Sequence, residues 1–515
     1  MSIARSNNGL ARLPYGAVGQ TLAITVFFAL LRLLICTLVG LGTNEAYAIA
    51  SGRFLSLSYF DHPPLHFWLA HLSAELFGDT RKARIPFIVI GAGTSWLMFC
   101  LARRLFGERA GVWATLALNL SIFFSLLSGN WILPDGPLNF FLLATALVLA
   151  PLTDAGELSL PRWILAGLLL GLAVLSKYHA IIFAAGFFGY LIASARGRAL
   201  LRAPGPWLAA LVALAVFSPV LLWNHAHDWA SFRFQGARAS VARHLGIGPF
   251  LSLLAAQLAI LSPWVAWPLL RSIGPAWRRG SEQSRFLLWL GLPTASFFSL
   301  APLWSDGGMV HWAMPGWLML MPLAGKYLAD GTKTSRWPYR WAQVSVMTFL
   351  VFIVLACAEI QTGWLGQEFP RLFRKGEPTA DWVEWWPLAQ LQGLGDPAGA
   401  AKTFVIAFDW RDAAKIDQVL GDRMPVVVAS DDPRNFAFAA DTPALQGRSA
   451  LIVARPAKIQ SELHKVGPCF SRIQTLRRLA IRRGASVVAS FIVARGTSNR
   501  PFLCGKILGS QRLSP

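Results

Sequence analysis

The chain of 515 residues is 55% hydrophobic and only 14% charged, with a mean hydropathy of +0.48, which excludes an ordinary soluble domain, where about a quarter of residues are charged. It is the composition of an integral membrane protein. The net charge of +21 does not point to nucleic acid, because Lys and Arg sit in short clusters between apolar runs rather than on one basic face; the partner it implies is anionic lipid head groups.

The first apolar run, 18–41, is longer than a signal-peptide core and lacks a small-residue cleavage site before Asn44, so it is expected to remain as a helix. Further runs near 85–102, 111–128, 136–151, 162–175, 178–195, 207–223, 249–270, 286–303, 312–329 and 342–359 bring the expected spans to about eleven at roughly 20 residues each. With the N-terminus inside, the basic loops at Arg103–Arg104–Arg109, Arg196–Arg198–Arg202, Arg271–Arg278–Arg279–Arg285 and Lys333–Arg336–Arg340 all fall on the inner face. The outer face then receives the segment 43–84, the turn at Asp135, the turn Lys177-Tyr178-His179, the loop 224–248 and the turn 304–312.

Everything after about 360 is placed outside as well, giving a membrane region, 1–360, and a C-terminal domain, 361–515. There the apolar runs shrink to strand length at 403–408, 424–429, 450–454 and 486–494, with an amphipathic helix at 411–420. A small α/β or α+β domain is expected. Cys36, Cys100 and Cys357 lie in apolar runs and read as packing residues, whereas Cys469 and Cys504 would be free to pair in an oxidising compartment.

The segment 43–84 carries the first candidate chemistry, with Glu45 and Asp61, Arg53, His62 and several rings in a stretch too polar to span a bilayer. Carboxylates at a membrane edge are costly to desolvate and rare unless they bind or catalyse, and Glu45, Asp61 and Asp135 fall at helix ends on one face. Taken singly, each is an ordinary loop acid. Arg53, His62, Arg81, Lys82, Arg84, Lys177, Arg233 and Arg238 lie on the face that the positive-inside rule leaves poor in cations, and a lipid-linked phosphate is the simplest partner for them. For Arg81 and Lys82 a plain solvated pair serves equally well; Lys177, between two apolar runs, has less room for that reading. Asp61-His62 offers two ligands to a divalent metal ion, without a defined third or fourth; His225, His227, His244 and His311 share the face at no diagnostic spacing. Pro63 and Pro64 stop the loop and start a helix whose Phe67-Trp68-Leu69 and Leu72 suit the membrane interface. The 22 Trp and 34 Phe serve mainly interfacial belts and helix packing.

Asn44-Glu45-Ala46-Tyr47, Tyr59-Phe60-Asp61-His62-Pro63-Pro64-Leu65, Arg84-Ile85-Pro86, Leu133-Pro134-Asp135-Gly136-Pro137-Leu138, Ser176-Lys177-Tyr178 and His311-Trp312 arrive in an order that resembles the polyprenyl-phosphate-sugar-dependent GT-C glycosyltransferases. Within them the likeness is to the lipid A aminoarabinose transferases and the protein O-mannosyltransferases, over the chain to about 330. The tail, with Phe408-Asp409-Trp410-Arg411 and Asp432-Pro433-Arg434-Asn435-Phe436, resembles the extracytoplasmic domain of a bacterial branch. The resemblance implies a mainly α membrane protein of the GT-C type, about 11–13 helices, with a small C-terminal extracytoplasmic α/β domain. It also implies a bacterial inner-membrane enzyme, N-terminus cytoplasmic and C-terminal domain periplasmic, whose catalytic first loop is 43–84. Its partners would be a polyprenyl-phosphate-linked sugar, an acceptor such as lipopolysaccharide core, lipid A, another glycan or a protein, and membrane lipids, with transfer by inversion.

Carried over residue by residue, Glu45, Asp61 and Asp135 are the catalytic candidates. Tyr59, His62, Arg84 and Lys177 are expected near the donor phosphate, Asn44 and His311 near substrate, and Asp61 with His62 near a metal if one is used. The family's first acid, an Asp before Glu, is here Asn44, and an amide takes no proton from an attacking hydroxyl. Glu45 or Asp61 has the role, or the acceptor is already ionised, or the chain only binds. A lipid-linked-sugar flippase and a non-catalytic membrane subunit are the alternative functions. A flippase would place ionisable residues near the midplane, where Arg32 is the exception in otherwise charge-free stretches.

Overall fold

The computed structural model describes residues 16–499 except 155, 239–245, 305–307, 370, 372–376, 396–402, 440–444 and 446. His244, and Cys504 with its pairing to Cys469, lie outside the described residues. Each apolar run is helical. α1 (Ala17–Leu38) leads into α2 (Thr43–Gly52) and α3 (Leu65–Phe77) of the first loop; α4 (Ile85–Phe106), α5 (Glu108–Leu120), α6 (Asp135–Leu149), α7 (Leu160–Ser176), α8 (Ala180–Ala193) and α9 (Ala195–Leu200) follow. The membrane part continues through α10 (Pro204–Ala226), α11 (Ala230–Arg238), α12 (Ile247–Leu261), α13 (Pro263–Arg279), α14 (Glu282–Leu300), α15 (Met314–Thr334) and α16 (Trp337–Thr362).

Among the described residues six helices are long and apolar enough to cross a membrane, or seven if α12 and α13 form one broken span, so the chain is a multi-pass membrane protein. The other apolar runs are also helical but fall short in length or apolarity. α7 and α8 have 17 and 14 residues, α15 carries Lys326, Asp330 and Lys333, and α5 gives way to a π-turn at Phe123–Leu127. The run 249–270, continuous in hydropathy, is not one helix. The chain turns by 107° between α12 and α13, at Ser262, whose φ is 80°, directly before a proline that has no N–H to continue the ladder.

Small residues let the helices approach, as membrane packing requires without a water-driven force between them. A Cβ on Gly91 of α4 would stand 2.6 Å from the Gly129 carbonyl oxygen, and one on Gly291 of α14 2.8 Å from that of Gly316 on α15.

Beyond α16 and the short α17 (Trp364–Glu368) the chain builds a mixed sheet from β1 (Thr403–Ala407), α18 (Trp410–Leu420), β2 (Val426–Val428), α19 (Phe436–Ala439), β3 (Ser449–Ala454), α20 (Ile459–Val466), β4 (Phe470–Arg483) and β5 (Ser486–Asn499). The strand order is β2-β1-β3-β5-β4. β1 runs parallel to β2 and β3, while β5 is antiparallel to β3 and β4. The four expected strands and the expected helix are all present, and β4 is an addition. Its Arg472, Arg477, Arg478 and Arg482 are exposed and interrupt the apolar alternation by which a strand is recognised.

The sheet region sits on the first loop, α18 lying over α2. Lys415 of α18 donates to the main-chain oxygens of Leu41 and Asp381. Arg53 pairs with Asp79 at 2.5 Å and Asp417 at 3.1 Å, and Arg81 with Glu384 at 2.8 Å. Two of the cations that the sequence offers to a phosphate therefore fasten the C-terminal region to the loop. In α3, Phe67 turns inward and is fully buried, leaving Leu72 and Leu76 exposed alongside Phe54, Leu55 and Leu57 of the loop. These border a cavity of about 660 Å³ lined by Leu55, Ser56, Leu57, Trp68, His71 and Trp223.

Candidate active site

The five segments expected on one face converge beneath the first loop. Lys177, at the C-terminal end of α7, sends its ammonium to both carboxylate oxygens of Asp135, at 2.9 and 3.1 Å. Asp135 occupies the first position of α6, where the helix N-terminus favours negative charge. Both side chains are buried, at 2% and 4% exposure, so each neutralises a charge that would otherwise be stranded.

Imidazoles surround this pair. His62 is in electrostatic reach of Lys177, Asp135, Arg238 and His311, and its ring stands 5.5 Å from that of His66. His179 stacks on Phe298 at 4.4 Å and meets Trp312 at 5.6 Å, and the Arg238 guanidinium lies 5.1 Å over the same Trp312. Burial, then the Lys177 charge, pushes His62 down to about 3 and His311 down to about 4. Both rings are accordingly neutral near pH 7, leaving Lys177 and Arg238 as the cations of the pocket.

Asp61 lies at the same mouth. Its Oδ1 accepts from the Tyr47 hydroxyl at 3.1 Å, its Oδ2 stands 3.5 Å from Arg434 Nη1, and its main-chain oxygen accepts from Gln235 Nε2 at 2.5 Å. Burial raises this carboxyl above its ordinary value, opposed chiefly by Arg434. The Tyr47 hydroxyl accepts in turn from the Asn435 N–H at 3.1 Å. Tyr47 is 14 residues from Asp61, but Arg434 comes from the far end of the chain, so its contact with Asp61 is invisible to spacing arguments; Arg434 is legible only as part of the tail motif.

Other expected site residues are placed elsewhere. Glu45 is saturated: Oε1 accepts from Arg84 Nε at 2.7 Å and the Ile132 N–H at 3.1 Å, and Oε2 from Arg84 Nη2 at 2.5 Å and the Gly42 N–H at 2.9 Å. Arg84 also donates to the carbonyls of Val39 at 2.6 Å and Gly40 at 2.7 Å. Glu45 and Arg84 are thus bound to each other and to main chain in this structure, in place of the open carboxylate and guanidinium expected. Tyr59 is fully buried with its ring 4.1 Å from Phe67, and its hydroxyl accepts from the Ser56 N–H. It packs in the core of the loop. Asn44 is exposed on α2.

No group of three or more His, Cys, Asp or Glu among the described residues has the arrangement to hold a metal ion; Asp61 is engaged with Tyr47 and Arg434 while His62 faces Asp135 and Lys177. These side chains do not fit the divalent ion considered for Asp61 and His62. At the midplane, Arg32 donates to the Ser125 carbonyl and to Asn119 Oδ1, both at 2.8 Å, tying α1 to its neighbours. The sequence reading missed His66, which lies inside the apolar helix α3; His179 stands in the turn before α8 that was already placed on this face.

A many-helix membrane part carrying buried charges at its helix ends, capped by a mixed sheet, is the architecture of the GT-C type. The crystal structure of ArnT from Cupriavidus metallidurans bound to undecaprenyl phosphate superposes with a TM-score of 0.65 over 94% of this chain and 98% of that one, at 16% identity; its apo form gives 0.61. These likenesses establish the fold. A family model described as dolichyl-phosphate-mannose-protein mannosyltransferase matches residues 61–223, which hold Asp61, Asp135 and Lys177. Undecaprenyl phosphate-alpha-4-amino-4-deoxy-L-arabinose arabinosyl transferases are similar in sequence. That of Pseudomonas aeruginosa (strain UCBPP-PA14) is 31% identical over 307 residues, 54% of this chain and 52% of the relative. That of Erwinia tasmaniensis is 27% identical over 262 residues, 48% and 47% respectively. The chain spans about half the length of the curated relatives it matches.

Proposed function

We propose that the protein is a bacterial inner-membrane glycosyltransferase that moves a sugar from a polyprenyl phosphate to an envelope acceptor on the periplasmic side, where the C-terminal domain also lies. The observation that carries this is the buried Asp135–Lys177 pair, with Arg238 in electrostatic reach of both Lys177 and the Asp61 carboxylate. Lys177 and Arg238 would neutralise the donor phosphate and His62 would hydrogen-bond it as a neutral ring, with Asp135 orienting Lys177 and facing the sugar. An acceptor hydroxyl attacks the anomeric carbon, the bond to the phosphate oxygen breaks with its electron pair leaving on phosphate, and the hydroxyl proton passes to Asp61. The anomeric centre inverts. Each charge-stabilising donor aimed at the leaving phosphate is worth about 3 kcal/mol of barrier.

Glu45 and Arg84 form the strut under the loop, and Asn44 has no part in the proton transfer, so the family's missing first acid does not remove the base. The exposed apolar rim and the 660 Å³ cavity beside Trp68 and Trp223 suit a polyisoprenoid chain. The donor named by the relatives, undecaprenyl phosphate 4-amino-4-deoxy-L-arabinose, and lipid A as acceptor are the pair to test first. Mass spectrometry of lipid A and lipopolysaccharide from cells with and without the gene should reveal a missing mass of one sugar, restored by wild type but not by Asp61→Asn. An unchanged profile across lipid A, lipopolysaccharide, other envelope glycans and glycoproteins would refute a transferase.

A further inference from the structure

The Asp61 carboxylate owes its position to a different part of the chain. The turn 432–436 of the C-terminal region reaches the first loop through separate contacts. The Asn435 N–H donates to the Tyr47 hydroxyl, which donates to Asp61 Oδ1; the Asn435 side-chain oxygen accepts from the Phe60 N–H at 3.4 Å; and Arg434 stands against Asp61 Oδ2.

Arg434 is itself held on several sides. Its guanidinium lies 4.8 Å over Phe234 of α11 and 5.0 Å over Trp410, and Asp432 pairs with it at 2.9 Å. Its φ of 53° is a left-handed conformation uncommon for a residue with a Cβ, and such geometry persists only where the surroundings fix it. At 3.5 Å the approach to Oδ2 is an ion-pair distance longer than a good hydrogen bond. Among the described residues Oδ1 is thus occupied by a hydrogen bond, while Oδ2 has a positive charge nearby and keeps its lone pairs.

We propose that the 432–436 turn is a working part of the transfer site, with Arg434 as the positioning residue that presents Asp61 Oδ2 to the acceptor hydroxyl and Tyr47 and Asn435 fixing the opposite oxygen. The C-terminal domain then completes the site instead of merely covering it. The inference rests on the transferase reading, and it makes the acceptor's proton travel to one specified atom. Misplacing a reacting group by about 1 Å costs on the order of 100-fold in rate, and that loss falls on turnover, because the donor phosphate is held by other residues.

The test uses the full chain purified in detergent, with undecaprenyl phosphate 4-amino-4-deoxy-L-arabinose as donor and lipid A as acceptor, and scores wild type first. Wild type that transfers no sugar here, in cells whose lipid A, lipopolysaccharide, other envelope glycans and glycoproteins are also unchanged by loss of the gene, would overturn the transferase reading and this inference with it. Given wild-type transfer, Arg434→Gln should lower kcat about 100-fold while the donor KM and the Kd for undecaprenyl phosphate stay within about twofold, and Arg434→Lys should recover part of the rate. Tyr47→Phe, which keeps the ring packed against Trp410, Phe67 and Phe436, should lower kcat in the same direction. In an Asp61→Asn background Arg434→Gln should cost nothing further. Lys415→Met supplies the comparison, since it loosens the docking of the domain without touching Asp61. The inference is overturned if Arg434→Gln leaves kcat unchanged, if it adds its full loss on top of Asp61→Asn, or if it merely reproduces the Lys415→Met pattern of lower melting temperature with a parallel rise in Kd.

Discussion

Arg84 and Lys177 are both fully buried cations paired with a carboxylate near a helix start, and the surroundings of the two pairs differ. Around Glu45–Arg84 the carboxylate is filled by two further main-chain N–H groups, of Gly42 and Ile132, and the guanidinium also donates to the carbonyls of Val39 and Gly40. Around Asp135–Lys177 the neighbours are imidazoles and Arg238, and among the described residues the ammonium hydrogen-bonds to Asp135 alone. A buried ion pair alone says little about role. A pair that is saturated by backbone is a strut, and one left with unspent capacity beside titratable groups has the character of a binding site.

Removing one side of the strut should have the largest effect. Glu45→Gln leaves the Arg84 charge uncompensated and should cost about 3–5 kcal/mol, read as a fall in melting temperature in detergent. The paired replacement Glu45→Leu with Arg84→Met should not rescue it, because four main-chain groups lose partners at about 1–3 kcal/mol each. Asp135→Leu with Lys177→Met should instead fold, since replacing a whole buried pair with apolar residues is often neutral, yet lose transfer by about 3 kcal/mol of barrier. If both double variants melted alike, the contrast would fail.

A smaller effect comes from His311, which burial pushes down from the ordinary histidine value of 6.5 to about 4. The unfolded chain therefore binds the proton more readily between those values, so the stability contributed by the neutral ring is complete above pH 6.5 and is lost as pH falls toward 4. The drop should be about 2 kcal/mol, below the full conversion of roughly 1.4 kcal/mol per pH unit because the ring is not sealed from water. His311→Gln should flatten melting temperature over that range. The smallest change is expected for Arg81→Ala, at about 1 kcal/mol or less, since its pairing with Glu384 is partly solvated; it should raise protease access at the C-terminal region before it alters transfer.

Much of the frame was legible because length and apolarity decide where helices lie and the placement of Lys and Arg decides which helix ends share a face. Asp61, Asp135, Lys177 and His62 were placed on one face by that route, and the structure brings Asp135, Lys177 and His62 together. What remained hidden is the choice of partner. Nothing in Glu45 or Arg84 announces that they consume each other across 39 residues of chain. Nor does Tyr59 reveal that its hydroxyl answers to Ser56. The break at Ser262 was masked by continuous hydropathy, and β4 by its arginines, since charge placed for the surface erases the period by which a strand is read.

That same strand has a consequence for crowding. Among the described residues β4 is the last strand of its sheet, paired with β5, and an edge strand is a template on which another chain can pair. Arg472, Arg477, Arg478 and Arg482 stand exposed along it, so two molecules meeting at this rim would bring like charges together at strand spacing. Such repulsion opposes edge-to-edge pairing of two sheets.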